Sequence, residues 1–329
     1  MIRSFVPLTT RAVMVLSVTI MVSTLVRDVI AQTYPSKPLR LIVPYPAGAA
    51  TDFIGRTVAT KMAETLGQPV VVENRAGAGG TIGVEAAAKA PADGYTLLLG
   101  EPGGMAINPF LMKSLGYDPV RDFAAIGQVV QLPLLMLANP KLGARSLSEL
   151  NTIASGRDFT FGSAGSGTVQ HLTIELLRAA TKHKFVHVPF KGGGPALNEL
   201  IGGRIDLLML TIPTAQPQIK AGKAVPIMLL AERRSPQLPD VPTAVELGVR
   251  NVTVNLWQGL FAPAGTPRDI IARLNGELNR AGASIDVRDK LMNAGAEVVT
   301  GTPEAFAKVV RDDAERWGRV IRDANIQSE

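Results

Sequence analysis

Twice in this chain a short apolar strand runs into a loop of small residues and then directly into a helix. Residues Leu39-Arg40-Leu41-Ile42-Val43 read as a buried strand ended by Pro44. The loop Tyr45-Pro46-Ala47-Gly48-Ala49-Ala50-Thr51-Asp52 follows, and Ile54, Val58, Met62 and Leu66 then recur at helical spacing. Gly67 and Pro69 stop that helix. Farther on, Phe159-Thr160-Phe161 is a strand and Ser163-Ala164-Gly165-Ser166-Gly167-Thr168 is the loop. The helix predicted over 168–180 carries Leu172 and Leu176 on one face. Strands at 70–72, 95–99, 185–188, 205–210 and 225–230 alternate with helical stretches around both units. Such alternation predicts parallel sheet with helices packed on its faces.

The two units are separated by a long apolar extended segment, 126–138, and a second one, 252–261, returns toward the first unit. After it come helices and one short strand near 297–299. The last helix, from Pro303 onward, places Phe306, Val310, Trp317, Val320 and Ile321 on one stripe, which must bury against a lobe, the first being expected. The predicted fold is therefore α/β and two-lobed, each lobe a sheet flanked by helices, with two crossing segments as a hinge. The expected boundaries are 32–137 with 254–329 for lobe 1 and 138–253 for lobe 2.

The N-terminus bears on the compartment. Arg3 and Arg11 precede an uncharged apolar run over 12–26, Arg27 and Asp28 close it, and Val29-Ile30-Ala31 offers a cleavage site. The run is shorter than the roughly 20 apolar residues of a spanning helix. Export to the periplasm with removal of 1–31 is therefore expected, in preference to a retained anchor. About 298 residues would remain, more than one core usually serves.

Composition removes several function classes. With no cysteine there is no disulfide framework, thiolate metal site or cysteine nucleophile. The net charge of +6 falls to about +4 without the leader, spread along the chain, and only four Tyr and two Trp are present. Nothing there supports nucleic-acid binding. Gly77-Ala78-Gly79-Gly80-Thr81-Ile82-Gly83 misses the dinucleotide fingerprint by one position. Ser163 and Ser166 lack the flanking glycines of a nucleophile elbow, and Lys191 precedes its glycines where a phosphate loop needs it after them. His171, His183 and His187 have no partner at a metal-ligand spacing. No metal, no cofactor and no catalytic set is expected. His187 alternates with apolar neighbours and reads as an interior histidine, whereas His171 could face a cleft or solvent.

What remains is the pair of loops. The first N–H groups of a helix have no internal acceptor, and the helix dipole adds partial positive charge there. Small loop residues let a ligand approach the backbone, so each loop is a candidate carboxylate site without Arg or Lys. The candidates are Pro46, Ala47, Gly48, Ala49, Ala50, Thr51 and Asp52 from the first loop, and Ser163, Ala164, Gly165, Ser166, Gly167 and Thr168 from the second. Lys191 and Gly192, Glu101 after the third strand, and Asp206 at a strand start complete the set. Asp52 is most simply a first-turn residue complementing the dipole. A carboxylate at Glu101 would repel an acid ligand unless paired or protonated.

The chain also resembles a known family, the substrate-binding proteins of tripartite tricarboxylate transporters, or Bug receptors. The resemblance runs from Tyr34 onward. It rests on Tyr34-Pro35-Ser36-Lys37-Pro38, Val71-Val72-Glu73-Asn74-Arg75-Ala76-Gly77-Ala78-Gly79-Gly80, Asp93-Gly94-Tyr95-Thr96-Leu97-Leu98 and Ile107-Asn108-Pro109. Later markers are His187-Val188-Pro189-Phe190-Lys191-Gly192, Arg234-Ser235-Pro236, Leu238-Pro239-Asp240-Val241-Pro242-Thr243 and Leu260-Phe261-Ala262-Pro263-Ala264-Gly265-Thr266-Pro267. It implies a periplasmic receptor, a monomer and not an enzyme, that hands a small organic acid to integral membrane transporter subunits. It also implies carboxylate binding by the main chain and bridging waters at 46–52 and 163–168. Departures are Ala49 and Ala50 in place of consecutive glycines, Glu101-Pro102-Gly103 in place of small hydroxyl residues, and Thr211 in place of an asparagine. The competing reading is an exported enzyme using Asp52, Glu101 or His171 as acid or base.

Overall fold

The computed structural model describes residues 34–48, 50–154 and 156–326; the expected leader at 1–31 and Ala49 lie outside them. The first unit contains β1 (Leu39–Val43), α1 (Ala50–Leu66), β2 (Val70–Asn74), α2 (Thr81–Ala88), β3 (Thr96–Gly100), a π turn (Gly103–Ile107) and α3 (Asn108–Leu111). Next come β4 (Phe123–Ala138), α4 (Leu147–Ala154), β5 (Phe159–Ser163), α5 (Val169–Thr181), β6 (Phe185–Pro189), α6 (Gly193–Gly202), β7 (Leu207–Thr211), α7 (Ile212–Lys220) and β8 (Val225–Leu229). The chain then returns through β9 (Asn255–Pro263) to α8 (Arg268–Ala283), α9 (Ile285–Asn293), β10 (Glu297–Val298) and α10 (Pro303–Asp323).

The strands follow the order β2-β1-β3-β9-β4-β7-β5-β6, with β8 and β10 also pairing with β4. The parallel pairs are β1 with β2 and β3, and β5 with β6 and β7. They are the βαβ units anticipated from the alternation, with helices on the sheet faces. The two sets of strands are joined through β4, whose 16 residues reach about 50 Å. Its first part pairs with β9 and its last part with β7 and β8. Both crossings run side by side there: Leu132 opposes Leu256, and Pro133 opposes Asn255.

Burial follows the sequence pattern. Ile54, Val58, Met62 and Leu66 of α1 pack with Leu41, Val43, Leu97 and Leu99 from the strands beneath. Phe306, Val310, Trp317 and Ile321 of α10 are buried, as the stripe required, and Phe306 sits edge-on to Trp257 of β9 at 5.3 Å between ring centres. That approach needs Gly259: a methyl group there would enter the Phe306 ring.

Candidate functional site

Strand register alone sets the two loops against each other. At the end of β3, Gly100 opposes Gly259, which in turn opposes Gln128 of β4. At the end of β7, Thr211 opposes Leu134 of the same strand. β3 runs parallel to β4 through β9, whereas β7 runs against it. The carboxyl ends of the two sets therefore point toward each other over residues 128–134, a strand length of about 20 Å. The loops after β1 and β3 occupy one side, and those after β5, β6 and β7 the other. They approach closely at Gly167, where a Cβ would come within 2.5 Å of Leu111 in α3.

In the first loop, Pro46, Ala47, Gly48 and Ala50 are exposed, and Thr51 and Asp52 are buried. Asp52 closes the loop. One carboxylate oxygen accepts from the Gly48 amide at 2.9 Å and from Arg56 Nε at 3.0 Å, the other from Asn74 Nδ2 at 2.9 Å. Burial would raise its pKa, but Arg56, the Gly48 amide and Asn74 outweigh burial and hold it at about 2. Gly48 adopts φ +81°, a conformation in which a side chain is strained.

The second loop is held in the same manner. Ser163 is fully buried, its hydroxyl 2.7 Å from His187 Nε2, and the Gly165 amide donates to that hydroxyl at 3.1 Å. The Gly167 amide donates to His171 Nδ1 at 3.0 Å, and the Thr168 hydroxyl caps α5 by accepting from the His171 amide. The Gly192 amide donates to the Ala164 carbonyl, which ties the loop after β6 to this one. Several glycine amides that the sequence suggested were spare are thus engaged by the protein itself. The small residues Ala50, Ala164 and Ser166 keep accessible surface, which makes the starts of α1 and α5 the candidate ligand-facing surface. Lys191 is exposed beside it.

His171 is largely withdrawn from solvent. It is only 9 % exposed, and its ring stacks on His187 with centroids 3.8 Å apart. His187 is the interior histidine its alternation predicted. Burial, then the neighbouring His171 and Arg178, lower its pKa to about 4. His183 packs edge-on against Phe159 and Phe185.

Glu101 follows β3 and keeps some accessible surface. The Tyr45 hydroxyl donates to its Oε1, and Gln258 Nε2 donates to its Oε2 at 3.4 Å. Gln258 also donates to Thr51 Oγ1 at 2.9 Å. Burial pushes the Glu101 carboxyl above its ordinary value, and these donors pull part of the way back. Tyr45 is raised well above the usual phenol range, first by burial and then by Glu101, so it stays a donor. Tyr45 and Gln258 were not singled out in the sequence. The tyrosine stood within the first loop, but a glutamine in an apolar crossing strand carries no local signal.

Asp206 is not brought to these residues. It accepts from the Thr160 amide at 2.9 Å and the Thr160 hydroxyl at 2.8 Å and pairs with Arg157, all at the amino end of β5 and β7. The cleft lies at their carboxyl end, about 10 Å of strand away. Among the described residues no group of His, Asp and Glu could hold a metal ion. The acid–base candidates are likewise dispersed: Asp52 is committed to Arg56 and Asn74, and His171 to the Gly167 amide.

Comparisons with known proteins identify the family and the fold. Residues 54–326 match the model of the tripartite tricarboxylate transporter family receptor, TctC. Protein BugT of Bordetella pertussis is 36 % identical over 321 residues, which cover 97 % of this chain and 98 % of that protein. The solved structure of R. palustris Rpa4515 with adipate superposes with a TM-score of 0.81 at 33 % identity, covering 89 % of this chain and 99 % of the other. MatC from Rhodopseudomonas palustris with bound malate gives 0.76 at 36 % identity, covering 88 % and 100 %. The chain therefore belongs to the TctC family of tripartite tricarboxylate transporter receptors, which are solute-binding proteins and not enzymes.

Proposed function

We propose that this protein is a periplasmic receptor that captures a small carboxylated organic molecule and delivers it to a tripartite tricarboxylate-type membrane transporter. Lobe 1, residues 32–137 with 254–329, and lobe 2, residues 138–253, would close over the ligand by bending where β4 and β9 cross. The observation that carries this reading is the opposition of two helix starts across 128–134 of β4, because each offers first-turn amides and a partial positive charge to one oxyanion. The ligand-facing set is 46–51, Glu101, Ser163–Thr168, Lys191 and Gly192, with Asp52 supporting the loop from behind. Binding of adipate and malate by relatives points to carboxylates as the class.

The test is a panel of organic acids added to the purified mature protein, read by thermal denaturation and titration calorimetry. An acid at tenfold its Kd adds about 1.4 kcal/mol to stability, and recovery of the acid unchanged separates capture from turnover. Absence of any shift and any heat across mono-, di- and amino-carboxylates rejects the reading. Uptake of the identified acid by cells, lost on deletion of this chain, tests delivery.

A further inference from the structure

Resting on the carboxylate-receptor reading above, we propose that His171 positions the Gly167 amide for the ligand. On capture its ring takes up a proton from solvent and the Ser166–Gly167 peptide turns over, so that the Gly167 N–H faces the acid. Three observations meet at this peptide. The Gly167 amide, just ahead of α5, is engaged by His171 Nδ1 at 3.0 Å. Residues Gly165 to Thr168 form a β-turn closed by the Thr168 amide on the Gly165 carbonyl at 3.3 Å. Its third residue, Gly167, has φ +73°, whereas Ser166 is not among the residues with positive φ. That combination is a type II turn, which differs from a type I turn almost wholly in the direction of its central peptide.

A trans peptide is planar, so its carbonyl points away from its N–H. With the Gly167 N–H aimed at the buried His171 ring, the Ser166 carbonyl is aimed at the opposite side, where Ser166 is exposed. An oxyanion arriving on that face meets a carbonyl lone pair. Turning the peptide over exchanges the carbonyl for a donor, and glycine accepts both the positive and the negative φ involved. The Ser166 carbonyl then stands opposite His171 Nδ1, which must carry a proton to answer it. A neutral ring protonated at Nδ1 would leave a bare Nε2 facing Glu175 Oε1 at 3.8 Å, so the imidazolium is the form that serves both sides.

The groups around the ring leave His171 as the site of that proton. Glu175 favours the imidazolium, and Arg178, paired with Glu175 at 2.5 Å, opposes it in part. Asp323 of α10 lines the hollow beyond those two side chains. His187 stacks on the ring at 3.8 Å, but burial, then His171 and Arg178, hold its pKa at about 4 and keep it neutral above that. β5, the loop over 163–168 and α3 carry no charged side chain.

The experiment is titration calorimetry of the full mature protein from about pH 8 to about pH 5.5, the range in which a histidine ordinarily titrates. The probes are adipate and malate, the acids held by two relatives, or otherwise the first acid of the wider panel that binds. His171→Asn keeps a side-chain oxygen near the Nδ1 position and cannot titrate. Dividing the affinity of the unaltered protein by that of the variant at each pH removes the acid's own titration. The ratio should rise on acidification, by up to about tenfold. Nitrogen NMR of the three imidazoles gives the structural readout: ligand should move the His171 titration upward by about one pH unit, with Nδ1 gaining the proton. An anion acting through space would also raise it, and Gly167→Ala separates the two. Alanine disfavours positive φ, and in the type II turn its Cβ would meet Leu111 at 2.5 Å, so the His171 titration should move upward with no ligand present. Melting profiles establish that each variant folds. A flat or falling affinity ratio overturns the inference and leaves the receptor reading standing, as does a His171 titration unmoved by ligand or by folded Gly167→Ala. The ligand-dependent titration in the unaltered protein decides the matter if a variant does not fold. Failure of the whole acid panel to bind overturns both.

Discussion

The imidazoles of His171 and His187 stack 3.8 Å apart with planes only 6° from parallel, and each ring holds one residue of the serine-glycine loop. His171 accepts from the Gly167 amide and His187 bonds to the buried Ser163 hydroxyl. Two aromatic bases so close cannot both carry a proton cheaply, so the loop's geometry is tied to their neutral forms.

Acid should therefore weaken the fold through His187. Its pKa of about 4 lies below the ordinary 6.5, so the unfolded chain binds the extra proton first. Stability is expected to fall as pH drops from 6.5 toward 4, by at most about 3 kcal/mol from this residue. Urea unfolding at a series of pH values checks it. His187→Gln should flatten the slope across that window, and an unchanged slope would count against the assignment.

Asp52 acts with the same sign over a more acidic window. Its carboxyl is held at about 2 against 3.8 when unperturbed, so its contribution is present above pH 3.8 and is lost as pH falls toward 2. Asp52→Asn should cost about 2 kcal/mol at pH 7, with the difference from the parent shrinking below pH 3.8. Equal stabilities at neutral pH would show that the Gly48 loop does not depend on this carboxylate.

Packing of α10 on the sheet hangs on a missing side chain. Gly259→Ala drives a methyl into Phe306, and overpacking of this kind costs about 1–3 kcal/mol. A second change, Phe306→Leu, should restore part of the loss because it vacates the colliding ring. A double-mutant cycle with no coupling would contradict the contact.

Trp257 offers an optical report on ligand capture. It is buried at the crossing opposite Gln131, donates to Asp313 Oδ2 at 2.8 Å, and immediately precedes Gln258. Ligand-dependent change in tryptophan emission is expected to persist in Trp317→Phe and to vanish in Trp257→Phe. Calorimetric binding without any emission change would mean that the crossing stays unaltered on capture.

Local pattern sufficed for the α/β class, for the strand–loop–helix units around Pro46–Thr51 and Ser163–Thr168, and for the buried stripe of α10. Each of those is written in residues a few positions apart, where side-chain period and turn chemistry act directly. Three-dimensional placement decided the rest. Joining of the two strand sets through β4, delivery of Gln258 to Thr51 across 207 positions and of His187 to Ser163, and removal of Asp206 to the far end of its strand all follow from which distant segments pair. Asp52 shows the division within one residue. Its helix-start position was plain from its neighbours and its bond to the Gly48 amide spans only four residues, but its hold on Asn74 exists only because β2 lies beside β1.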